Sequence, residues 1–568
     1  TFQWLHAQHH TLANGLDLVY LEDSTRELLH VSVTLRGGPL LDLPDADGLS
    51  NFYSYLLTDR SDSLPKGGRL QTALQPLGIL RHQATYEESN FFSLSMRPQD
   101  LGKGLGLLAT VIQYPGFDSS SLARLKPILA TDLQTIEGSP QYYHLAALRA
   151  KLWGKEAFRK NLPGSYAQLA ALNAEWIRNH FANFLHPRNA LLAATGNIPA
   201  DAFFQICDSL FSGWKSDSQP GNIPPFAPVK LEKSIYFITE NAFASFPVLT
   251  LAWPATGILE APQTVAQQQL FTAMASLKRG KFYRALVGKG LAHHLEWTYT
   301  PTAYQDQIIL SVIPVPDSLI SCLHAVRKEL QALAQPAYFS ARDRKAAQRS
   351  LAIRFGQRDD RSLDRLAAIG RAWARHAPDW QSQQVPKPNS NLLSKIAAAL
   401  SPEKPHIAGL LVNATLGSVT NLDSIFSTPL SGAVAAVNLA RDTAPPPPPD
   451  PRPDLGPLTS FRIYFESSSF QADAPSLIEL EQLVAILKAY PKLNLFVNGY
   501  SDGIGDGVYN YQLSIQRAES IKQLLIASFG VRADRLSVRG FGEAFAEFPD
   551  DTPEHSALNR RVSFEIAP

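Results

Sequence analysis

The sequence predicts an α+β protein in which two homologous domains precede a smaller, separate domain. An alternating strand pattern at residues 30–35 is followed by a helix from about Gly48, and residues 247–252 repeat this pattern before a second helix. The strand patterns at residues 91–96 and 308–313 lie 217 residues apart, as the first pair does. This common offset indicates a duplication, and each repeat is expected to be a sheet with helices packed on one face.

A proline-rich segment at residues 444–457 marks the clearest boundary. Its five consecutive prolines, Pro445–Pro449, cannot join a helix or an inner strand. Such a segment favours polyproline II and would span ~40 Å as a semi-rigid spacer. We therefore predict domains at residues 1–225 and 226–443, a linker at 444–457, and a C-terminal domain at 458–568.

Composition limits the functional classes. The 568-residue chain is 45% hydrophobic and carries a formal net charge of +1, so no general attraction to nucleic acid is expected. No run of ~18 apolar residues predicts a membrane span. Because the sequence begins at Thr1, we expect that a targeting segment was removed, and that membrane association runs only through a partner or that segment. Cys207 and Cys322 lie in apolar helical contexts and are expected to be buried, although a disulfide stays open.

A glycine-rich turn near the C-terminus combines two opposite charges. Asp502 lies in the turn after an apolar strand, and Arg517 follows 15 residues later in a predicted helix. Together they suit a zwitterion, because the carboxylate can accept an ammonium and the guanidinium can bind a carboxylate through two parallel N–H bonds.

These residues belong to a set of motifs that resembles the OmpA-like peptidoglycan-binding domain, an α/β sandwich. The motifs in order are Ile463–Phe465, the GYSD turn at 499–502, Leu513-Ser514 with Arg517-Ala518, residues 539–543, and Asn559-Arg560-Arg561. The resemblance implies that Asp502 and Arg517 bind the diaminopimelate of the stem peptide. We include Leu513, Ser514, Asn559, Arg560 and Arg561 in the expected site; whether the last two touch ligand or pair with an internal carboxylate stays open. Ser501 stands where the family usually has threonine.

The first repeat contains a helical frame, GLSNFYSYLL at residues 48–57. This frame, the preceding strand and the duplication resemble the pitrilysin/insulinase-type zinc peptidases over about residues 5–430. The resemblance places the two zinc-ligand histidines on Asn51 and Tyr55, the general-base glutamate on Ser54, and the third ligand on Asp132. Zinc catalysis needs three basic ligands and a base, and only Asp132 remains a competent ligand. We expect no metal, no cofactor and no catalysis.

The same resemblance implies that the second repeat lacks the substrate clamp of active family members. The clamp's arginine falls on Leu286 and its tyrosine on His293, while Gly290-Leu291-Ala292 keeps the frame. Other histidines, in HxxHH at residues 6–10 and in the pair 293–294, are not expected to bind a metal.

The combined interpretation is a periplasmic, wall-associated pseudopeptidase of a Gram-negative bacterium. Its expected partners are peptidoglycan and a second envelope protein, for which an active peptidase relative is one candidate. Three alternatives stay open: the non-catalytic subunit of a heteromeric zinc peptidase, a peptidase with a non-standard metal site, and a passive wall linker.

Overall fold

A computed structural model describes most of the chain, in two compact units. The described residues are 2–3, 7–43, 46–64, 68–116, 118–137, 139–214, 223, 226, 229–241, 244, 246–335, 337–376, 382–383, 385–413, 422–427, 461–467, 469–470, 480–481, 483–484, 486–488, 490, 493–504, 507–543, 546–548, 550 and 552–567. One unit comprises 1–291, 297–312 and 316–428, and the other comprises 429–568 with 292–296 and 313–315. We call residues 1–428 the body and residues 461–567 the C-terminal domain. The linker prediction at 444–457 falls outside the described residues.

The first half of the body is built on a six-stranded mixed sheet. Its strands are β2 (Ala7–Thr11), β3 (Asp17–Glu22), β4 (Leu29–Arg36), β5 (Leu80–Tyr86), β6 (Ser89–Met96) and β7 (Ala190–Gly196). They lie in the order β2-β3-β7-β4-β6-β5, with β3 and β7 parallel and the other neighbours antiparallel.

Among its described residues, the second half repeats this topology without a strand equivalent to β2. Its strands are β8 (Ile235–Glu240), β9 (Val248–Ala255), β10 (Ala292–Tyr299), β11 (Asp306–Pro314) and β13 (Ile407–Val412). Their order is β10-β11-β9-β13-β8, and β8 and β13 are parallel as β3 and β7 are. The strand patterns that predicted the duplication fall in β4 and β9 and in β6 and β11, which hold equivalent positions, so the predicted α+β class is confirmed. A short pair, β1 (Phe2–Gln3) with β12 (Ser382–Gln383), is antiparallel.

The helices follow a similar order in the two halves, with eight described in the first half and seven in the second. In the first half these are α1 (Leu49–Leu57), α2 (Leu70–Leu74), α3 (Leu101–Gln113), α4 (Ser119–Glu137), α5 (Pro140–Trp153), α6 (Tyr166–Ala171), α7 (Ala174–Phe181) and α8 (Ala200–Phe211). In the second half they are α9 (Pro262–Ala275), α10 (Lys281–Leu286), α11 (Leu319–Leu333), α12 (Ala341–Asp360), α13 (Ser362–Ala374), α14 (Ser390–Ala399) and α15 (Leu422–Ser427).

The halves exchange one helix each. Helix α13 of the second half packs on β4, β6 and β7 of the first sheet, where Leu366, Ile369 and Trp373 share a buried cluster with Val19 and Leu191. Helix α5 of the first half packs on β8, β9 and β13 of the second sheet. Each sheet therefore has a second face that is covered by the other half, and the hydrophobic core of the body is shared between the repeats.

The C-terminal domain is a four-stranded sheet with helices on one face. Its elements are β14 (Arg462–Tyr464), β15 (Asn494–Gly499), α16 (Gly507–Phe529), β16 (Leu536–Gly540), α17 (Pro553–Asn559) and β17 (Arg561–Ala567). The strand order is β14-β17-β15-β16, with β15 and β16 parallel. Alternate strand residues such as Leu495, Val497 and Phe564 pack with Ile521 and Leu525 of α16 in a core of its own.

Two expectations drawn from the composition concern the cysteines and membrane-spanning helices. Cys207 and Cys322 are both buried free thiols, so no disulfide joins them. Within the described parts of the chain, no helix has the length and apolar content that crossing a membrane requires.

Candidate functional site

The turn after β15 holds a buried ion pair. Asp502 accepts a hydrogen bond from Nη1 of Arg560 at 2.9 Å, and the two side chains are only 9% and 12% exposed. Backbone bonds fix the turn, because Tyr500 N donates to the Arg561 carbonyl and Ser501 N donates to the Gly542 carbonyl. Arg560 is also anchored through Nε, which donates to the Phe465 carbonyl at 3.0 Å. One of the two terminal arginines thus pairs with an internal carboxylate, and that carboxylate is Asp502 itself.

Arg517 lies beneath the same turn and is fully buried. Its Nε donates to the Ser469 carbonyl at 2.8 Å, its Nη1 to the Tyr500 carbonyl at 2.9 Å, and its Nη2 to the Glu466 carbonyl at 3.2 Å. The structure brings Arg517 and Asp502 to one turn, as expected. It directs all three guanidinium nitrogens to backbone carbonyls instead of to the surface.

Ser514 and Leu513 support the site from α16. The Ser514 hydroxyl donates to the Tyr511 carbonyl and accepts from Gly542 N at 2.8 Å, which holds the loop that follows β16. A Cβ at Gly499 would collide with the Ser514 carbonyl oxygen, so only glycine allows β15 and α16 to approach this closely. Leu513, which precedes Ser514 on α16, is also buried.

Asn559 is fully buried and clamps the segment before α17. Its amide exchanges two hydrogen bonds with the Phe548 backbone and donates to Asp550 Oδ1 at 2.9 Å. Asp550 Oδ2 in turn accepts from Gly503 N at 2.8 Å, directly after Asp502. Asp550 was not predicted as a site residue, although it is an acidic residue shortly before Asn559-Arg560-Arg561 in the sequence.

Arg561 faces away from this ion pair. Its guanidinium lies 4.0 Å from the centre of the Tyr500 ring and contacts Glu547 at 3.2 Å. Burial lowers its pKa, and Glu547 opposes that effect. Glu547 also pairs with Arg462 of β14, so the buried Arg561 belongs to a polar group with Glu547 and Arg462.

The altered peptidase motif lies on α1. Asp42 precedes the helix and accepts hydrogen bonds from Gly48 N at 2.8 Å and Ser50 N at 2.7 Å, which satisfies backbone donors of the first turn. Burial raises the pKa of Asp42 to about 8, while the bonds from Ser50 and Gly48 oppose that rise. Sequence reasoning did not identify Asp42 because the bond spans an irregular loop.

Asn51, Ser54 and Tyr55, which the family resemblance assigns to the zinc ligands and the general base, lie on that helix. Asn51 Nδ2 donates to the Pro163 carbonyl at 3.4 Å, and the buried Ser54 hydroxyl donates to the Asn51 carbonyl at 2.7 Å. Burial raises the pKa of the Tyr55 phenol, and the charge of Asp132 on α4 raises it further. Burial also raises the pKa of Asp132. The structure therefore brings Tyr55 and Asp132 together.

This set of residues does not fit a catalytic zinc ion. Zinc prefers neutral imidazole, thiolate and carboxylate ligands. Among the residues that the structure describes, no three His, Cys, Asp or Glu side chains form a group that could hold a metal ion. A phenol with a raised pKa and a neutral amide leave Asp132 as the one carboxylate at the motif positions.

The two positions that the resemblance assigns to the substrate clamp, Leu286 and His293, lie in different environments. Leu286 on α10 is fully buried in the core. His293 is half-buried on β10, and burial lowers its pKa. His9 on β2 contacts Asp17 at 3.2 Å, whereas His6 of the same motif lies outside the described residues.

Three protein-family models match separate parts of the chain. The family model "Insulinase (Peptidase family M16)" matches residues 18–164, "Peptidase M16 inactive domain" matches 171–351, and "OmpA family" matches 464–560. The chain joins an M16 peptidase-like body to an OmpA-family domain. The predicted domain boundaries at 225 and 443 stay predictions.

Solved structures share the fold of the M16-like body. A protease from Helicobacter pylori superimposes with a TM-score of 0.64 at 14% identity, covering 72% of this chain and 99% of that one. The periplasmic protease PqqL from Escherichia coli gives 0.62 at 13% identity, covering 82% of this chain and 54% of that one. At such identities the likeness concerns the fold alone.

Curated relatives resemble the OmpA-family domain. Outer membrane porin F of Pseudomonas aeruginosa is 30% identical over 104 residues, which are 18% of this chain and 30% of the porin. The probable lipoprotein YiaD of Escherichia coli is 37% identical over 106 residues, 19% of this chain and 48% of YiaD. Peptidoglycan-binding protein ArfA of Mycobacterium bovis is 33% identical over 129 residues, 21% and 39% of the two chains. The chain thus spans less than half of each of these relatives.

Proposed function

We propose that this protein is a non-catalytic envelope protein that binds peptidoglycan through its OmpA-family domain and a second envelope protein through its M16-like body. The observation that carries the wall-binding part is the buried charge pair Asp502–Arg560 in the turn that the OmpA motifs share. A relative over this segment bears the name peptidoglycan-binding protein. We place the protein in the periplasm of a Gram-negative bacterium, where the diaminopimelate stem peptide is its wall ligand.

The non-catalytic part rests on the chemistry of α1. Ser54 is buried, donates to a backbone carbonyl and has no basic group with which to activate water. Tyr55 keeps its proton because its pKa is raised. A peptidase with a non-standard metal site, the alternative enzyme function, would need ligands other than Asn51, Ser54 and Tyr55.

The partner-binding part rests on β5, which is an edge strand of the first sheet. An edge strand offers unpaired backbone groups, and an extended segment of another protein can pair with it. Leu80 at its start is 70% exposed and adds apolar contact. We propose that a partner, such as an active peptidase relative, presents an extended segment to β5.

The test of wall binding compares the full-length protein with Asp502→Ala in sedimentation with purified diaminopimelate-type peptidoglycan. Loss of one member of a buried charge pair costs about 2–5 kcal/mol, so binding should weaken at least ~30-fold. Asp534→Ala is the matched control, because Asp534 is an exposed carboxylate of the same domain that pairs with Arg532. Equal sedimentation of wild type and D502A would refute the wall-binding proposal.

The test of partner binding uses the full-length protein in affinity capture from an envelope extract. Gln83 pairs with Phe92 at a position whose N–H points away from β6, so Gln83→Pro removes a donor from the outer edge of β5, whereas Gln83→Val keeps that donor. We expect a captured partner to be lost with proline and kept with valine. If no protein is retained by wild type, the body is better explained as a passive wall linker.

A further inference from the structure

Five exposed cations lie around the short helix α10 of the second half. Residues 261–295 contain no Asp or Glu, although the chain as a whole carries a formal net charge of only +1. The cations are Lys278, Arg279, Lys281, Arg284 and Lys289. None of the five forms an ion pair with a carboxylate of the described residues. Positive charge is therefore concentrated here without a direct counter-charge.

Helix α12 presents a second group of cations. Arg342, Lys345 and Arg349 are exposed and recur at intervals of three and four residues, which places them on one face of the helix. Ile353 continues this face and is 59% exposed, whereas Leu351 on the opposite face is buried. The helix packs against α9 and α13. The three cations, which pair with no described carboxylate, and Ile353 thus lie on the side of α12 that faces solvent.

The two groups adjoin at the segment that precedes α12. Lys281 Nζ donates to the Ala337 carbonyl at 3.4 Å, and Arg344 Nη1 donates to the Phe339 carbonyl at 2.9 Å. Both groups belong to the same compact unit. We call the eight exposed cations of residues 278–289 and 342–349 the basic surface.

The acidic residues nearest to the basic surface are engaged elsewhere. Asp343 Oδ2 accepts hydrogen bonds from the Ser340 N–H at 2.8 Å and from the Ser340 hydroxyl at 2.7 Å. Glu329 Oε2 accepts from the Tyr338 hydroxyl at 2.6 Å. Because neither carboxylate pairs with the basic surface, its cations are available to attract an external anion within the screening distance of about 10 Å.

We propose that the basic surface rests on an anionic phospholipid membrane, with Ile353 at the boundary between headgroups and acyl chains. Exposed cations spread over two elements suit many phosphates in a fluid layer, to which each Lys or Arg is attracted separately. An exposed isoleucine in line with cations is typical of helices that lie on a membrane, whereas a soluble polyanion offers nothing to an apolar side chain. This contact goes beyond the proposed function and does not depend on wall binding.

The test measures sedimentation of the full-length protein with phosphatidylcholine vesicles that contain or lack phosphatidylglycerol. Wild type should bind only the anionic vesicles, and added salt should weaken binding because it screens the charges. The test variant combines Arg279→Gln, Arg284→Gln, Lys345→Gln and Arg349→Gln. Each cation near an anionic surface contributes about fivefold in affinity, so this variant should bind at least ~100-fold more weakly.

A matched control removes four charges elsewhere on the body. It combines Lys103→Gln, Lys155→Gln, Lys230→Gln and Lys233→Gln, all at exposed positions. It has the same net charge as the test variant and should bind anionic vesicles within about twofold of wild type, since charges more than a Debye length from the membrane are screened. Thermal unfolding checks that both variants fold.

Ile353→Ser distinguishes a membrane from a soluble polyanion. The substitution leaves the charge unchanged and should weaken vesicle binding by about threefold to tenfold, because a partly inserted isoleucine loses its apolar contact. Binding to soluble polyglutamate, which depends on charge alone, should not change.

Three outcomes would overturn the proposal. Phosphatidylglycerol could fail to improve binding of wild type, or the test variant could bind anionic vesicles as the control does. If I353S binds vesicles as wild type does while polyglutamate binds to the basic surface, that surface serves an acidic protein instead of a membrane. The wall-binding variant D502A should bind vesicles normally, so failure of the wall-binding proposal is recognised separately.

Discussion

At the residue scale, the buried Arg517 side chain fixes the turn after β15 through hydrogen bonds to three backbone carbonyls. Sequence motifs place Arg517 in a helix 15 residues after Asp502, and in the structure Arg517 donates to the Tyr500 carbonyl of the same turn. The number of backbone carbonyls it holds was not predictable, because those carbonyls belong to segments 17 to 51 residues away. A guanidinium has five N–H donors in a planar fork, which suits it to joining several loops.

Arg517→Met should therefore destabilise the C-terminal domain. The substitution keeps a long apolar side chain but leaves the Glu466, Ser469 and Tyr500 carbonyls without this donor, at a cost of at least ~3 kcal/mol. Denaturant unfolding of the full-length protein measures the change. Arg532→Met, at an exposed position of the same domain, should change stability by less than ~0.5 kcal/mol. A loss below ~1 kcal/mol for R517M would contradict the structural role.

The altered metal site allows a second prediction at this scale. Asn51→His with Tyr55→His would restore two imidazoles beside Asp132, giving the three ligands that a zinc site requires. We expect bound zinc to rise from well under one to about one ion per chain, measured by elemental analysis after dialysis. Peptidase activity should stay absent, even with Ser54→Glu, because Leu286 and His293 still lack the clamp. The single variant Asn51→His is the control, and stoichiometric zinc in wild type would contradict the prediction.

At the element scale, the exchanged helices explain why the two repeats behave as one body. Trp373 of α13 packs on the first sheet, where its Nε1 donates to Asp17 Oδ2 at 2.8 Å. The Arg36 guanidinium lies 3.6 Å from the centre of its ring. A helix that buries its apolar face on another half contributes to the stability of both halves.

Trp373→Ala should destabilise the whole body by about 3–5 kcal/mol, the range found for large-to-small changes of buried aromatic residues. Because α13 covers the first sheet, both halves should lose protection from amide hydrogen exchange together. Arg361→Ala, just before α13 and in an exposed ion pair with Asp364, is the control. Loss of protection confined to residues 229–413 would show that the halves unfold independently.

At the scale of the whole body, buried acids link the two halves and make stability depend on pH. Glu88, in the turn between β5 and β6, accepts the Ala303 N–H through both oxygens at 2.9 Å. Arg375 lies 3.7 Å from Glu88, and Lys160 lies 4.0 Å from Asp306. Burial outweighs these cations and raises the pKa of Glu88 to about 7 and that of Asp306 to about 6.

The raised pKa of Glu88 predicts that the body loses stability as the pH rises from 6.5 to 8. A carboxyl whose pKa is higher in the folded state binds more protons there than in the unfolded state, so deprotonation favours unfolding. Asp42 acts in the same direction, whereas buried His144 acts only below pH 6.5 because its pKa is lowered to about 4.

Thermal unfolding of wild type and Glu88→Gln at pH 6.5 and 8 measures this effect. The glutamine variant should lose less stability between the two pH values, because it cannot release the proton. Glu175→Gln, at an exposed position on α7, is the control and should follow wild type. An equal pH dependence in wild type and E88Q would contradict the assignment.

The sequence by itself determined the α+β class, the duplication and the motifs of both candidate sites. These features can be predicted from patterns in the sequence: strand alternation, a constant offset between repeats, and short motifs with fixed spacing. The strand patterns of the repeat occupy equivalent sheet positions in β4 and β9, although the strand order itself was not predicted. The absence of suitable zinc ligands and of a general base at Asn51, Ser54 and Tyr55 could also be predicted from the sequence, because the ability to bind a metal depends on the residue type.

Only the tertiary structure decided which groups meet across long separations. The exchange of α5 and α13, the Glu88–Ala303 contact and the pairing of Asp502 with Arg560 join residues 58 to more than 300 positions apart. A sequence records that such residues are charged or apolar, but burial and the competition for each hydrogen-bond partner are properties of the packed chain. For that reason Arg517 and Arg560, both visible as motif arginines, received different roles only once their acceptors were known.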